Sequence, residues 1–155
     1  MSAQHERRAD QIVEMLRGCN LEAGLLLLGC GLGHTVEALD RRGIRTLGWE
    51  ASAELAASSM LIRHVDALTV DLRHGPPASA VITEDLLPCL SDREARWLSR
   101  KMARAWPDAV RVHLVSVSRG DIAEREPRGN WKSVGAWARL MAPDPVYDIL
   151  ELGEQ

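Results

Sequence analysis

Three glycines at alternate positions carry the densest chemical information in this sequence, in Leu28-Gly29-Cys30-Gly31-Leu32-Gly33-His34-Thr35. Glycines so spaced permit a tight turn and let a backbone approach a ligand with no Cβ in the way. Where a helix follows, its first N–H groups lack partners and face whatever the turn holds. Two acids lie at intervals that suit a nucleoside. Glu50 comes seventeen residues after Gly33, in Leu47-Gly48-Trp49-Glu50, and a carboxylate there can accept from both hydroxyls of a ribose. Asp66, in Val65-Asp66-Ala67, can accept from an exocyclic amine. A further acidic pair stands in Thr83-Glu84-Asp85-Leu86, and either carboxylate can act as a base when a nucleophile must lose a proton. Nothing in the sequence selects one of the two.

A dinucleotide fingerprint, Gly-x-Gly-x-x-Gly/Ala, needs a small third residue where helix packs on strand. Counted from Gly29, that place is His34, which is too bulky for it. Cys19, Cys30 and Cys89 are spaced neither as a disulfide framework nor as a zinc site, so no metal is expected. His113 lies inside the best strand of the chain and is expected to be a packed core histidine. Arg93, Arg96, Arg100, Lys101 and Arg104 recur every three or four residues, the pattern of a solvated helix face.

The elements that would position these residues alternate along the chain. Ala9, Ile12, Val13 and Leu16 have helical spacing, which predicts an amphipathic helix over 4–17. Gly24-Leu-Leu-Leu-Leu-Gly29 has the look of a short strand buried on both faces. A helix from His34 to Arg42 follows the glycine turn, then a strand over 44–49 and a small-residue helix over 53–59 capped by Ser52. Strands are predicted over 61–65 and 80–83. Ser91-Asp-Arg-Glu94 is a capping box that starts a helix running to Trp106. Val110 to Val117 is rich in β-branched residues and predicts the strongest strand. Val134, Trp137, Leu140 and Met141 place an apolar stripe on a helix capped by Ser133, with Trp137 in the core, and 146–152 suits a last strand. This alternation predicts an α/β fold, a doubly wound and mostly parallel sheet with ligands at the carboxyl ends of its strands.

Gly29-Cys-Gly-Leu-Gly33, an acid after the second strand and Asp66-Ala67 after the third together resemble the class I S-adenosylmethionine-dependent methyltransferases, over about three fifths of the chain. The resemblance implies a Rossmann-like fold and S-adenosyl-L-methionine as cofactor. It implies that Gly29, Cys30, Gly31 and Gly33 form the turn under the cofactor's methionine part. Glu50 would hold the ribose, with Trp49 and Ala51 flanking the adenine, and Asp66 would meet the adenine amine with Ala67 beside it. Glu84 would face the methyl group, and Glu84 or Asp85 would supply any base the acceptor needs.

Four places depart from the family pattern. Leu27 stands where an acid usually precedes the first glycine by two residues, and Ser79 stands for an acid before the fourth strand. Cys89 occupies the place of a frequent histidine and is expected to be a small buried residue. Only 38 residues follow Val117, which implies a shortened C-terminal part, an exposed sheet edge and a homodimer covering it.

Composition narrows the partners. A chain of 155 residues with 46% apolar content suits a single domain, expected to span 1–155. Nineteen basic residues, all but two of them arginine, stand against 22 acidic ones, and the net charge of −3 disfavours a nucleic-acid partner. The longest apolar run, Leu25–Leu28, is too short to span a membrane, and the first residues lack the apolar stretch of a secretory signal, so a cytoplasmic protein is expected. The expectation is therefore a methyltransferase acting on a small-molecule acceptor. The alternative is a catalytically degenerate cofactor-binding domain that serves as a partner subunit or sensor.

Overall fold

Four consecutive leucines build the centre of the sheet. Leu25 to Leu28 form strand β1, buried along its whole length, with β2 (Thr46–Glu50) parallel on one side and β4 (Ala80–Glu84) parallel on the other. Side chains alternate across a strand, so Leu25 and Leu27 enter one core and Leu26 and Leu28 the other. Each such leucine contributes about 1.5–3 kcal/mol relative to exposure, which makes this strand the anchor of both layers.

The computed structural model describes residues 3–116 and 129–149. Its six strands run in the order β3-β2-β1-β4-β5-β6, with β3 at Ile62–His64, β5 at Val110–Val115 and β6 at Val146–Asp148. Every pairing is parallel. The sequence expectation of a mostly parallel sheet is met by a wholly parallel one among the described residues. β6 lies directly against β5, with His113, Leu114 and Val115 opposite Val146, Tyr147 and Asp148. Residues 150–152 of the last predicted strand, and Val117 of the fifth, lie outside the described residues.

Helices cover both faces. Helix α1 (Ala3–Met15) buries Ala9 and Ile12, and with α2 (His34–Arg41) and the single turn α3 (Ala53–Ala56) it closes the Leu25/Leu27 core. Helix α4 (Asp92–Ala105) and helix α5 (Val134–Met141) close the other face through Leu98, Met102, Trp137 and Met141. The expected caps form. Ser91 and Glu94 complete the capping box, Ser52 Oγ accepts from Leu55 N, and Ser133 Oγ accepts from Ala136 N. Trp137 is fully buried, as its helical spacing predicts.

The strand order reverses direction between β1 and β4, so the crevice at their carboxyl ends is the natural ligand position. No helix among the described residues is long and apolar enough to cross a membrane.

Candidate functional site

The crevice is occupied by the glycine turn. Gly29 N donates to Trp49 O at the end of β1, Gly33 N donates to Cys30 O, and Gly33 caps α2 in the left-handed region at φ 80°. A Cβ at Gly33 would stand 2.4 Å from Ile62 Cδ1, the movable tip of that side chain, so the left-handed φ is the stronger reason for glycine there. Gly31 differs. A Cβ there would meet nothing within 4 Å, because the residue borders open space.

That space is a cavity of about 230 Å³ lined by the turn itself (Gly29 to His34), by Glu84 and Asp85 at the end of β4, and by His5 and Arg8 of α1. The N-terminal helix thus forms one wall of the site. Its apolar stripe marked it as a packed helix, but its polar residues gave no sequence signal of a role here. The rings of His5 and His34 lie 4.9 Å apart, and burial, with Arg8 and His34 nearby, holds His5 below its ordinary pKa.

Glu50 projects from the end of β2 to the same turn. Its Oε2 accepts from Gly31 N at 2.8 Å and its Oε1 accepts from Ser52 N at 3.1 Å. Cys30 is buried beneath the turn. Burial first, and then the charges of Glu84 and Glu50, push its thiol up to about 12, so it remains neutral and is no nucleophile.

The two acids at the end of β4 have different surroundings. Glu84 is buried. Thr35 donates to its Oε1, Arg8 Nη1 stands 3.3 Å from the same oxygen, and Oε2 has no hydrogen-bond partner. Burial raises its pKa against the opposing pull of Thr35 and Arg8. Asp85 holds a left-handed backbone at φ 53°, with Oδ1 accepting from Ser116 N at 2.9 Å and Oδ2 from Ser116 Oγ at 3.0 Å. Its carboxylate therefore ties the end of β4 to the end of β5, while Glu84 faces the cavity.

The remaining expected residues are not among those lining the cavity. Asp66 Oδ1 accepts from Leu68 N, and its backbone carbonyl starts the loop after β3. Ala67 is buried, and its carbonyl accepts from Lys101 Nζ. The ring of Trp49 packs edge-on to Trp106 in the core, so only its carbonyl reaches the turn. Ala51 is exposed, with His64 Nε2 2.9 Å from its carbonyl oxygen.

Three expectations on neighbouring positions can be compared directly. Cys89 is exposed, not buried, because the helical turn Leu87–Cys89 directs Leu87 and Pro88 inward instead. His113 is a fully buried core histidine, with Thr83 Oγ1 2.8 Å from Nδ1 and Asp144 Oδ2 3.4 Å from Nε2. On α4 the four arginines are exposed, but Lys101 is not part of a solvated face. It donates to the carbonyls of Ala67, Leu68 and Val70 and lies over the ring of Trp97.

Solved structures similar to this arrangement include methyltransferases. The magnesium protoporphyrin IX methyltransferase ChlM from Synechocystis, solved with bound S-adenosylhomocysteine, superposes with a TM-score of 0.68 over 88% of this chain and 71% of its own, at 15% identity. The fold is that of the class I S-adenosylmethionine-dependent methyltransferases. The sugar N-methyltransferase KedS8 from Streptoalloteichus matches with a TM-score of 0.57 at 23% identity, over 77% of this chain and 50% of its own. DesVI from Streptomyces venezuelae matches with a TM-score of 0.60 at 22% identity, over 74% and 52%. The chain thus spans about half the length of KedS8 and DesVI. No family model and no curated protein matches it.

Proposed function

We propose that this methyltransferase-like fold binds S-adenosyl-L-methionine at the glycine turn and transfers its methyl group to a small-molecule acceptor. One observation carries the reading. Gly31 borders an open cavity at the reversal point of the sheet, and a carboxylate from the neighbouring strand end, Glu50, already stands beside it.

The residues present suit that cofactor. Glu50 uses one oxygen on Gly31 N and one on Ser52 N, and a carboxylate has about four acceptor positions, so capacity remains for two ribose hydroxyls. Asp66 and Ala67 lie on the loop after β3 and would border the adenine. Glu84 and Arg8 offer buried polar atoms without partners at the opposite end. The bound cofactor would supply an electrophilic methyl group on a sulfonium. The chain's part is to fix the acceptor in line and exclude water. Of the two acids in line for a proton-accepting role, Asp85 accepts from Ser116 at both oxygens and Glu84 keeps Oε2 without a partner. Trp131 and Tyr147, which follow the fifth strand, belong to the part of the chain where an acceptor wall is proposed. The homodimer and the cytoplasmic location expected from sequence stand as parts of the same proposal.

The test has two arms. Calorimetry of the purified chain should give saturable heat with S-adenosylhomocysteine and none with NAD, and an isotopically labelled methyl group should appear on one member of an acceptor panel. Heat with NAD alone overturns the proposal. Binding without transfer to any acceptor class would decide for the alternative, a non-catalytic cofactor-binding subunit.

A further inference from the structure

Arg8 and Glu84 present a chemical problem that the fold alone leaves unsolved. Both line the cavity beside the glycine turn, and Arg8 Nε and Glu84 Oε2 are buried without hydrogen-bond partners. Their mutual contact, Nη1 to Oε1 at 3.3 Å, and the Thr35 hydroxyl on Oε1 leave those two atoms unpaired. Buried charged groups carry a large desolvation cost unless they are fully hydrogen-bonded. A cation donor and an anion acceptor side by side in one cavity are complementary to a single ligand group bearing both charges. That group is an α-amino-carboxylate. The strand next to Glu84 sharpens the point, because position 27 of β1, where the resemblance leads one to expect an acid, is a fully buried leucine.

We propose that Arg8 and Glu84 form a clamp for the zwitterionic amino-acid end of the cofactor, Glu84 accepting from the α-ammonium through Oε2 and Arg8 donating to the α-carboxylate through Nε. The assignment rests on the methyltransferase reading and deepens it. Glu84 becomes a binding residue in place of the missing acid at position 27, and α1 becomes a functional wall of the site.

The experiment compares three ligands by calorimetry. S-adenosylhomocysteine carries the amino-acid end, 5′-methylthioadenosine keeps the nucleoside thioether without it, and free methionine keeps the amino-acid end without the nucleoside. The wild-type chain should prefer S-adenosylhomocysteine over 5′-methylthioadenosine by at least about 100-fold, the lower end for two charge-assisted hydrogen bonds. Arg8→Ala and Glu84→Gln should each cut that preference about tenfold and leave 5′-methylthioadenosine affinity as it was. Arg8→Lys, which keeps the charge and the helix surface, should restore part of the preference and guards against a misfolded alanine variant. A wild-type preference ratio in both variants, or equal loss on both nucleosides, overturns the clamp. Methionine binding with no nucleoside binding reassigns the clamp to a free amino acid and overturns its link to the cofactor. If neither nucleoside binds the wild-type chain, the methyltransferase reading falls, an outcome distinct from an unchanged ratio.

Discussion

The thiol of Cys30 fills the space that a side chain at Gly48 would need: a Cβ built at Gly48 would stand 2.4 Å from Cys30 Sγ. The glycine turn and β2 are thus fitted against each other through one sulfur atom. Turning the thiol away does not free the position, because Val36 Cγ2 would remain at 3.0 Å and Cys30 Cβ at 3.3 Å. Gly48→Ala is expected to cost about 1–3 kcal/mol, the range for overpacking a filled core. Adding Cys30→Ala should recover part of that loss, since the two sites are in contact and not additive. Urea denaturation of the four proteins of the cycle measures it, and a Gly48→Ala variant as stable as wild type would contradict the fit.

Asp85 stores backbone strain and repays it through Ser116. Its left-handed φ of 53° is disfavoured for a residue with a Cβ, though aspartate and asparagine tolerate it better than most. Asp85→Ala keeps the strain and loses both hydrogen bonds to Ser116, for an expected cost of about 2–4 kcal/mol. Asp85→Asn keeps one acceptor and the tolerated backbone and should lose less than half of that. Thermal denaturation of the two variants checks the order, and equal losses would show that the bonds to Ser116 contribute little.

The positions of β1, β4 and β5, the three N-terminal serine caps and the glycine turn were legible in sequence because each is a local signal. An apolar run, a hydroxyl followed by a free N–H and a set of alternate glycines all need only near neighbours. What was not legible depends on partners far along the chain. Arg8 meets Glu84 across 76 residues, and Lys101 reaches the carbonyls of the loop after β3 across about thirty. Neither pairing leaves a periodic trace in composition. Trp49 shows the same limit from the other side. Its place next to Glu50 marks a strand end, but the alternation of the strand sends its ring into the core while Glu50 turns to the glycine turn.

Asp144 makes the buried contact between β5 and the segment that joins α5 to β6 sensitive to acid. Burial works against its charge, but His113 and Arg111 outweigh burial and hold its carboxyl below the ordinary value of 3.8. A carboxyl lowered in the folded state contributes stability that is present above its unfolded pKa and lost as pH falls through the folded value. Stability should therefore fall below about pH 4, and Asp144→Asn should flatten that acid limb while lowering stability at neutral pH. Urea midpoints measured from pH 7 to pH 2 give both quantities. An acid limb as steep in the variant as in wild type would place the sensitivity elsewhere.

Lys101 acts as a pin on the loop that carries Ala67. Its three donors match the three carbonyls of Ala67, Leu68 and Val70, and burial lowers its pKa. Lys101→Met keeps the stem and removes the donors, so the loop after β3 should open more often at a stability cost of about 1–2 kcal/mol. Hydrogen exchange should show faster protons at Thr69 and Val70, whose amides donate to Asp66 O, with the centre of β1 unchanged. If Asp66 and Ala67 border the adenine, the same variant also weakens S-adenosylhomocysteine, by less than the loss of a direct contact.

Glu50 gives the sharpest separation between folding and binding. It is half-buried at a strand end, and its two hydrogen bonds go to the part-buried backbone amides of Gly31 and Ser52, which water can satisfy in its absence. Glu50→Ala should therefore change the melting temperature little. A carboxylate that accepts from two ribose hydroxyls contributes charged hydrogen bonds of about 1.5–3 kcal/mol each, so even one of them lost weakens S-adenosylhomocysteine by about 10-fold to 150-fold. Glu50→Gln keeps an acceptor oxygen but places an amide beside the Gly31 N–H or the sugar, and should fall between the two. Calorimetry on the three proteins reads the affinities and a melting curve reads the fold. Equal affinity in all three would remove Glu50 from the binding site, and with it the observation on which the functional reading stands.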